Sequence, residues 1–110
     1  MAFDPVLAER IRAALGGVDA VTEKKMFGGL GFMVHGNMAA AAASGGSLML
    51  RSSDAMADDL VDGDRVVEME MRGRSMKGWL LVAPEAVADD EALQRLVDLA
   101  VAHVKTMPAQ

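Results

Sequence analysis

Residues Met26 to Met38 read Met-Phe-Gly-Gly-Leu-Gly-Phe-Met-Val-His-Gly-Asn-Met, with four glycines set among large apolar side chains. Glycine weakens a helix interior and frees the backbone for tight turns. The run therefore reads as strand, turn, strand, turn. Leu30, Phe32 and Val34 fall on one face of the middle strand, and Gly31, Met33 and His35 on the other. Gly28-Gly29 supplies a turn or bulge, and Gly36-Asn37 suits a two-residue hairpin turn.

The flanking segments extend this pattern. Asp4-Pro5 opens a helix over about Pro5 to Leu15, and Gly16-Gly17 closes it. Thr22 to Phe27 is expected as the first strand and Met38 to Ala43 as the third. The five alanines favour helix by propensity, but turn signals on both sides and the short span favour strand. Small side chains there let a helix approach the sheet closely. Ser44-Gly45-Gly46 turns the chain, and Ser47 to Arg51 forms the next strand. Ser53 caps a short helix that buries Met56 and Leu60. Val66 to Arg72 alternates: Val67, Met69 and Met71 face one way, and Glu68, Glu70 and Arg72 the other. Gly73 to Gly78 is expected as a turn and Trp79 to Val82 as the last strand. A final helix is capped by Asp89 or Asp90 and buries Leu93, Leu96, Val97, Ala100, Val101 and Val104. Short turns require antiparallel pairing. The expected fold is α+β: an antiparallel sheet of about five to six strands with the terminal helices packed on one face.

The chain of 110 residues fits one domain. Its net charge of −5 and few aromatics weigh against direct nucleic-acid binding, which needs clustered cations and stacking platforms, and leave the basic hairpin Arg72–Lys77 as the alternative route to it. There are no cysteines, so no disulfide framework or thiolate metal site arises. No basic leader precedes a long apolar run, and no run is long enough to span a bilayer. A cytoplasmic protein without a membrane segment is expected.

The search for chemistry yields little. A dinucleotide fingerprint counted from Gly29 and Gly31 meets Val34 where its third glycine belongs. His35 and His103 lack ligating partners at helical spacing. A calcium loop set on Gly63 puts Leu60 and Met69 at ligand places, which fails. Asp58, Asp59, Asp62 and Asp64 read instead as helix solvation and a turn. A Ser75–Lys77 dyad is conceivable, yet an exposed lysine stays protonated and is no base. No catalytic residue, metal or cofactor is expected. The best charge feature is Arg72, Arg74 and Lys77, either a solvated hairpin tip or a docking point for an acidic partner or phosphate. Lys24, Lys25 and Arg51 extend that cluster if the sheet brings them near. Most of the ten methionines read as core filler, with Met33 and Met49 on the opposite face as an adaptable surface.

Lys24 to Met38 resembles the opening motif of the TfoX/Sxy N-terminal domain family: a basic residue, Met26-Phe27-Gly28-Gly29, an apolar strand, the Gly36 turn and another strand. Ser47 to Arg51 resembles the family's next strand. Gly73-Arg74-Ser75-Met76-Lys77-Gly78, followed by Trp79 to Pro84, resembles its Gly-Arg-Pro-Met-Lys-Gly segment, with Ser75 where many relatives carry proline. The likeness spans about Val21 to Pro108. It implies a secretion-chaperone-like α+β fold and a regulatory, non-enzymatic role. Two-domain members promote DNA-uptake genes with an activator of the cyclic-AMP receptor protein type. Their second domain, with helix-hairpin-helix-like features, has no counterpart here, so this chain resembles the single-domain members. A protein partner is expected, through the exposed sheet face or the Arg72–Lys77 hairpin. A homodimer is also plausible, since the sheet has edges and the terminal helices carry apolar side chains.

Overall fold

The computed structural model describes residues 3–26, 28–71 and 73–108; Phe27 and Arg72 lie outside the described residues. The elements run α1 (Pro5–Ala14), β1 (Val21–Met26), β2 (Gly29–Val34), β3 (Asn37–Ala42), β4 (Leu48–Arg51), α2 (Asp54–Leu60), β5 (Val66–Met71), β6 (Arg74–Val82), a 3₁₀ turn (Pro84–Val87) and α3 (Asp90–Val104). The six strands form one antiparallel sheet in the order β1-β2-β3-β4-β6-β5. The expected α+β architecture is present, with α1 and α3 against each other and against β3.

Local chemistry accounts for the helix ends. Asp4 Oδ1 accepts from Val6 N at 2.9 Å, and Pro5 takes the first helical position. Ser53 Oγ accepts from Met56 N at 3.1 Å to start α2. Asp89 caps α3.

The core lies between the sheet and the two terminal helices. Leu30, Phe32, Val34, Ala40, Ala42, Leu48, Leu50, Leu80 and Val82 are buried, and so are all six expected positions of α3. The alanine run is strand, as expected. Ala40 and Ala42 are fully buried, and their small side chains let α1 and α3 approach β3. Full burial of a side chain such as Phe32 contributes about 1.5–3 kcal/mol.

Three turns differ from expectation. The second hairpin closes on His35-Gly36, not Gly36-Asn37: Val34 pairs with Asn37, and the loop residues have φ of 51° and 83°. Two consecutive positive φ values match the twist of the flanking strands. Asn37 is thereby freed to join β3, and its buried amide donates to Pro108 O at 2.9 Å. In the first hairpin Gly29 belongs to β2, paired with Met26, rather than to the turn. The third correction concerns Gly73 to Gly78. Arg74 pairs with Met71, so β6 starts at Arg74 and runs nine residues. The turn is short because Gly73 adopts φ of 78°, and a break in register absorbs the residues expected in the loop. Arg74 and Lys77 are therefore strand residues. Among the described residues, no helix is long and apolar enough to cross a membrane.

Candidate functional site

The sheet face turned away from α1 and α3 carries its own apolar surface. Cross-strand pairing places Gly31, Ala41, Met49, Leu81 and Val67 in one row on it. A groove of about 420 Å³ lies there, lined chiefly by Met38, Met49, Met69, Met76, Trp79 and Leu81.

The sequence builds this groove through two irregularities. Met38 folds over Gly31: a Cβ at Gly31 would lie 3.2 Å from Met38 Cε, so glycine there makes room for the thioether. On the other side, pairing of Glu68 with Leu80 gives way to pairing of Glu70 with Ser75. The extra residues of β6 bulge out between those pairs, and Met76 and Trp79 lie in that stretch. A bulge re-aims side chains in this way.

The reading of most methionines as core filler is corrected here. Among the described methionines only Met56 is buried in the core, whereas Met38, Met49, Met69 and Met76 line the groove. The opposite-face reading fits Met49. Val67 and Met69, expected as the dry side of β5, turn to this open face; the helix-covered side holds Val66.

Arg51 ends β4 two residues beyond Met49 and pairs with Trp79. Its guanidinium carbon lies 5.0 Å from the centre of the Trp79 ring, within cation–π range. A Cβ at Gly78 would lie 3.6 Å from that carbon, so the guanidinium also runs close to the β6 backbone. Among the described residues, buried Arg51 Nε has no hydrogen-bond acceptor and the neighbouring buried Ser52 Oγ has no partner. The sequence pointed to Arg51 as a basic strand end and as an extension of the Arg72–Lys77 cluster. Its pairing with Trp79 depends on which strand lies beside β4, and that strand is distant in the chain.

Lys24 and Lys25 do not join Arg74 and Lys77 in one patch. Lys24 pairs with Gly31 and shares the open face with the groove, while Lys25 pairs with Leu30 and faces the helix side. Three strands separate β1 from β6, roughly 19 Å at about 4.8 Å per strand step. That exceeds the screening length of about 8–10 Å in physiological salt. Arg74 is exposed, and exposed Lys77 stands 3.8 Å from Asp54 Oδ2 at the start of α2. Arg72 lies outside the described residues. Of the motif glycines, Gly28, Gly36, Gly73 and Gly78 have positive φ, and Gly29 is buried at the start of β2.

The ionisable groups serve structure. Asp62 Oδ1 accepts from the backbone N–H groups of Val66, Asp64 and Arg65 at 3.0, 2.8 and 2.8 Å. Those bonds hold its carboxyl below the usual range, that of Val66 most strongly. Asp62 thus closes a turn, as read from sequence. Ser75 and Lys77 are not hydrogen-bonded to each other among the described residues. No group of three or more ligating side chains is assembled among the described residues.

A search of curated proteins found no match. The family model of the TfoX N-terminal domain matches residues 13–104, which include all six strands and the whole of the final helix. The hairpin signature at Met26 to Met38, the six-stranded antiparallel sheet and this match agree, and the chain belongs to the TfoX N-terminal domain family.

Proposed function

We propose that this chain is a non-enzymatic regulatory module that works by protein contact, with the open sheet face as its docking surface. Family membership supports a regulatory or interaction role in general. The observation that carries the surface is the asymmetry of the sheet. One face is covered by α1 and α3, while the other displays a methionine-rich groove. Methionine side chains repack readily, which suits an adaptable contact surface. The family resemblance makes an activator of the cyclic-AMP receptor protein type the first partner to test.

The test compares three forms of the protein as bait in its native cell. The wild type is expected to retain the partner, and Met49→Glu plus Met76→Glu to lose it. Arg74→Glu plus Lys77→Glu should keep it, because those cations do not line the groove. Loss with the second pair and retention with the first would move the docking surface from the groove to the Arg74–Lys77 end of β6. Duplex DNA should show no affinity at about 50 mM salt, where electrostatic binding is strong.

A further inference from the structure

Arg51 stands beside the groove, stacked on Trp79 of its lining, and an apolar protein contact leaves it unexplained. None of its donors has a protein acceptor among the described residues, and no carboxylate lies within salt-bridge distance there. An arginine offers five N–H donors in a rigid fork suited to a carboxylate. Its Nε is buried without an acceptor among the described residues, and such a buried, unsatisfied donor is costly unless something pairs with it. The guanidinium is nevertheless held in place, over Trp79 and beside Gly78. Next to it, Met49 and Trp79 open into an apolar groove of about 420 Å³. That volume lies in the usual range for small-ligand sites, about 300–1,000 Å³.

We propose that this groove binds a small apolar monocarboxylate, its hydrocarbon body among the methionines and its carboxylate on the edge of the Arg51 guanidinium. Charge complementarity selects the occupant. Lys24 also stands on this face, so two copies apposed through it would set cation toward cation. An anionic ligand is favoured where a second copy is not. The site shares the open face with the docking surface above, but its test needs only the isolated chain. Failure of either reading leaves the other standing.

Trp79 is the only tryptophan, which makes its fluorescence a direct reporter. Octanoate, 1-octanol and octyltrimethylammonium are titrated into the chain below micelle-forming concentrations. Octanoate is expected to give a saturable change at about tenfold lower concentration than octanol, the scale of one charge-assisted hydrogen bond. The ammonium compound should bind more weakly than either. Arg51→Met should abolish the preference for octanoate over octanol, and Arg51→Lys should restore part of it. A second measurement needs no variant: with methyl-labelled methionine, octanoate should shift Met38, Met49, Met69 and Met76 and leave buried Met56 unmoved. No saturable change with octanoate, equal binding of octanol, or an unaltered preference in Arg51→Met would overturn the proposal. So would binding of an acidic apolar peptide with none of octanoate.

Discussion

Arg12 on α1 grips Glu23 on β1 with two prongs, Nε to Oε2 at 2.6 Å and Nη2 to Oε1 at 2.7 Å. The same guanidinium lies 5.9 Å from the centre of the Phe32 ring, and Phe32 is the residue paired with Glu23 across the sheet. One side chain thus ties the first helix to the edge strand over the core. The Arg12 bonds hold the Glu23 carboxyl below its usual range. A lowered folded-state pKa contributes stability that is complete above the unfolded value, about 4.3 for Glu. It is lost as pH falls through the folded value. Glu23→Gln should therefore lower the melting temperature at neutral pH, and the gap to wild type should close as pH drops below about 4.3. Thermal melts across pH 3–7 measure this; a gap that stays constant across that range contradicts the pairing.

Arg10 is a second anchor of α1, this one to Val87 and the start of α3. Its Nη2 donates to Val87 O at 2.6 Å, and its Nε donates to Asp90 Oδ1 at 2.9 Å. The Val87 bond is part-buried, whereas Asp90 is 88% exposed. Arg10→Ala should cost about 1–2 kcal/mol. Asp90→Ala should cost little, since exposed ion pairs contribute little. Urea unfolding of both variants distinguishes them, and equal losses would place the energy in the ion pair instead.

Two glycines of the open face should respond differently to alanine. At Gly31 the new methyl meets the flexible end of Met38, which can move aside. The change should stay within about 1 kcal/mol, because strand interiors disfavour glycine. Gly78 has φ of 92°, a conformation other residues avoid. Gly78→Ala should cost about 1–3 kcal/mol and disturb the Arg51–Trp79 stack, read as a change in Trp79 emission.

Ala40 tests how closely the helices approach the sheet. It is fully buried on the side that α1 and α3 cover. Ala40→Leu should cost about 1–3 kcal/mol or more by overpacking. Ala41 occupies the opposite face beside the groove, so Ala41→Leu should be milder and should shrink the groove. Denaturation midpoints of the two variants give the comparison.

Element type followed from short-range chemistry in this chain. The stripe from Leu93 to Val104 has helical period, the alternation of Leu30, Phe32 and Val34 has strand period, and Asp4-Pro5 and Ser53 cap as their side chains dictate. The exact turn residues were less legible. His35 takes a positive φ that its identity does not announce, and glycine at Gly36 and Gly73 allows tighter turns than composition implied. Trp79 to Val82 is apolar on both faces, which signals that both sides of that strand meet apolar surroundings. Sequence alone did not show that one of those surroundings is an open groove.

By itself, then, the sequence determined the helix caps, the periodicity of each strand and the antiparallel α+β fold, because those depend on neighbours within a few residues. Tertiary structure alone decided what lies on the open face. Met38, Met69 and Met76 converge there only because of the strand order and the β5–β6 bulge. Pairing decides that Lys24, not Lys25, shares the open face, and Arg51 meets Trp79 because β6 pairs with β4. Pairing between strands far apart in the chain rests on burying one whole face at once, and local residue chemistry does not encode that choice.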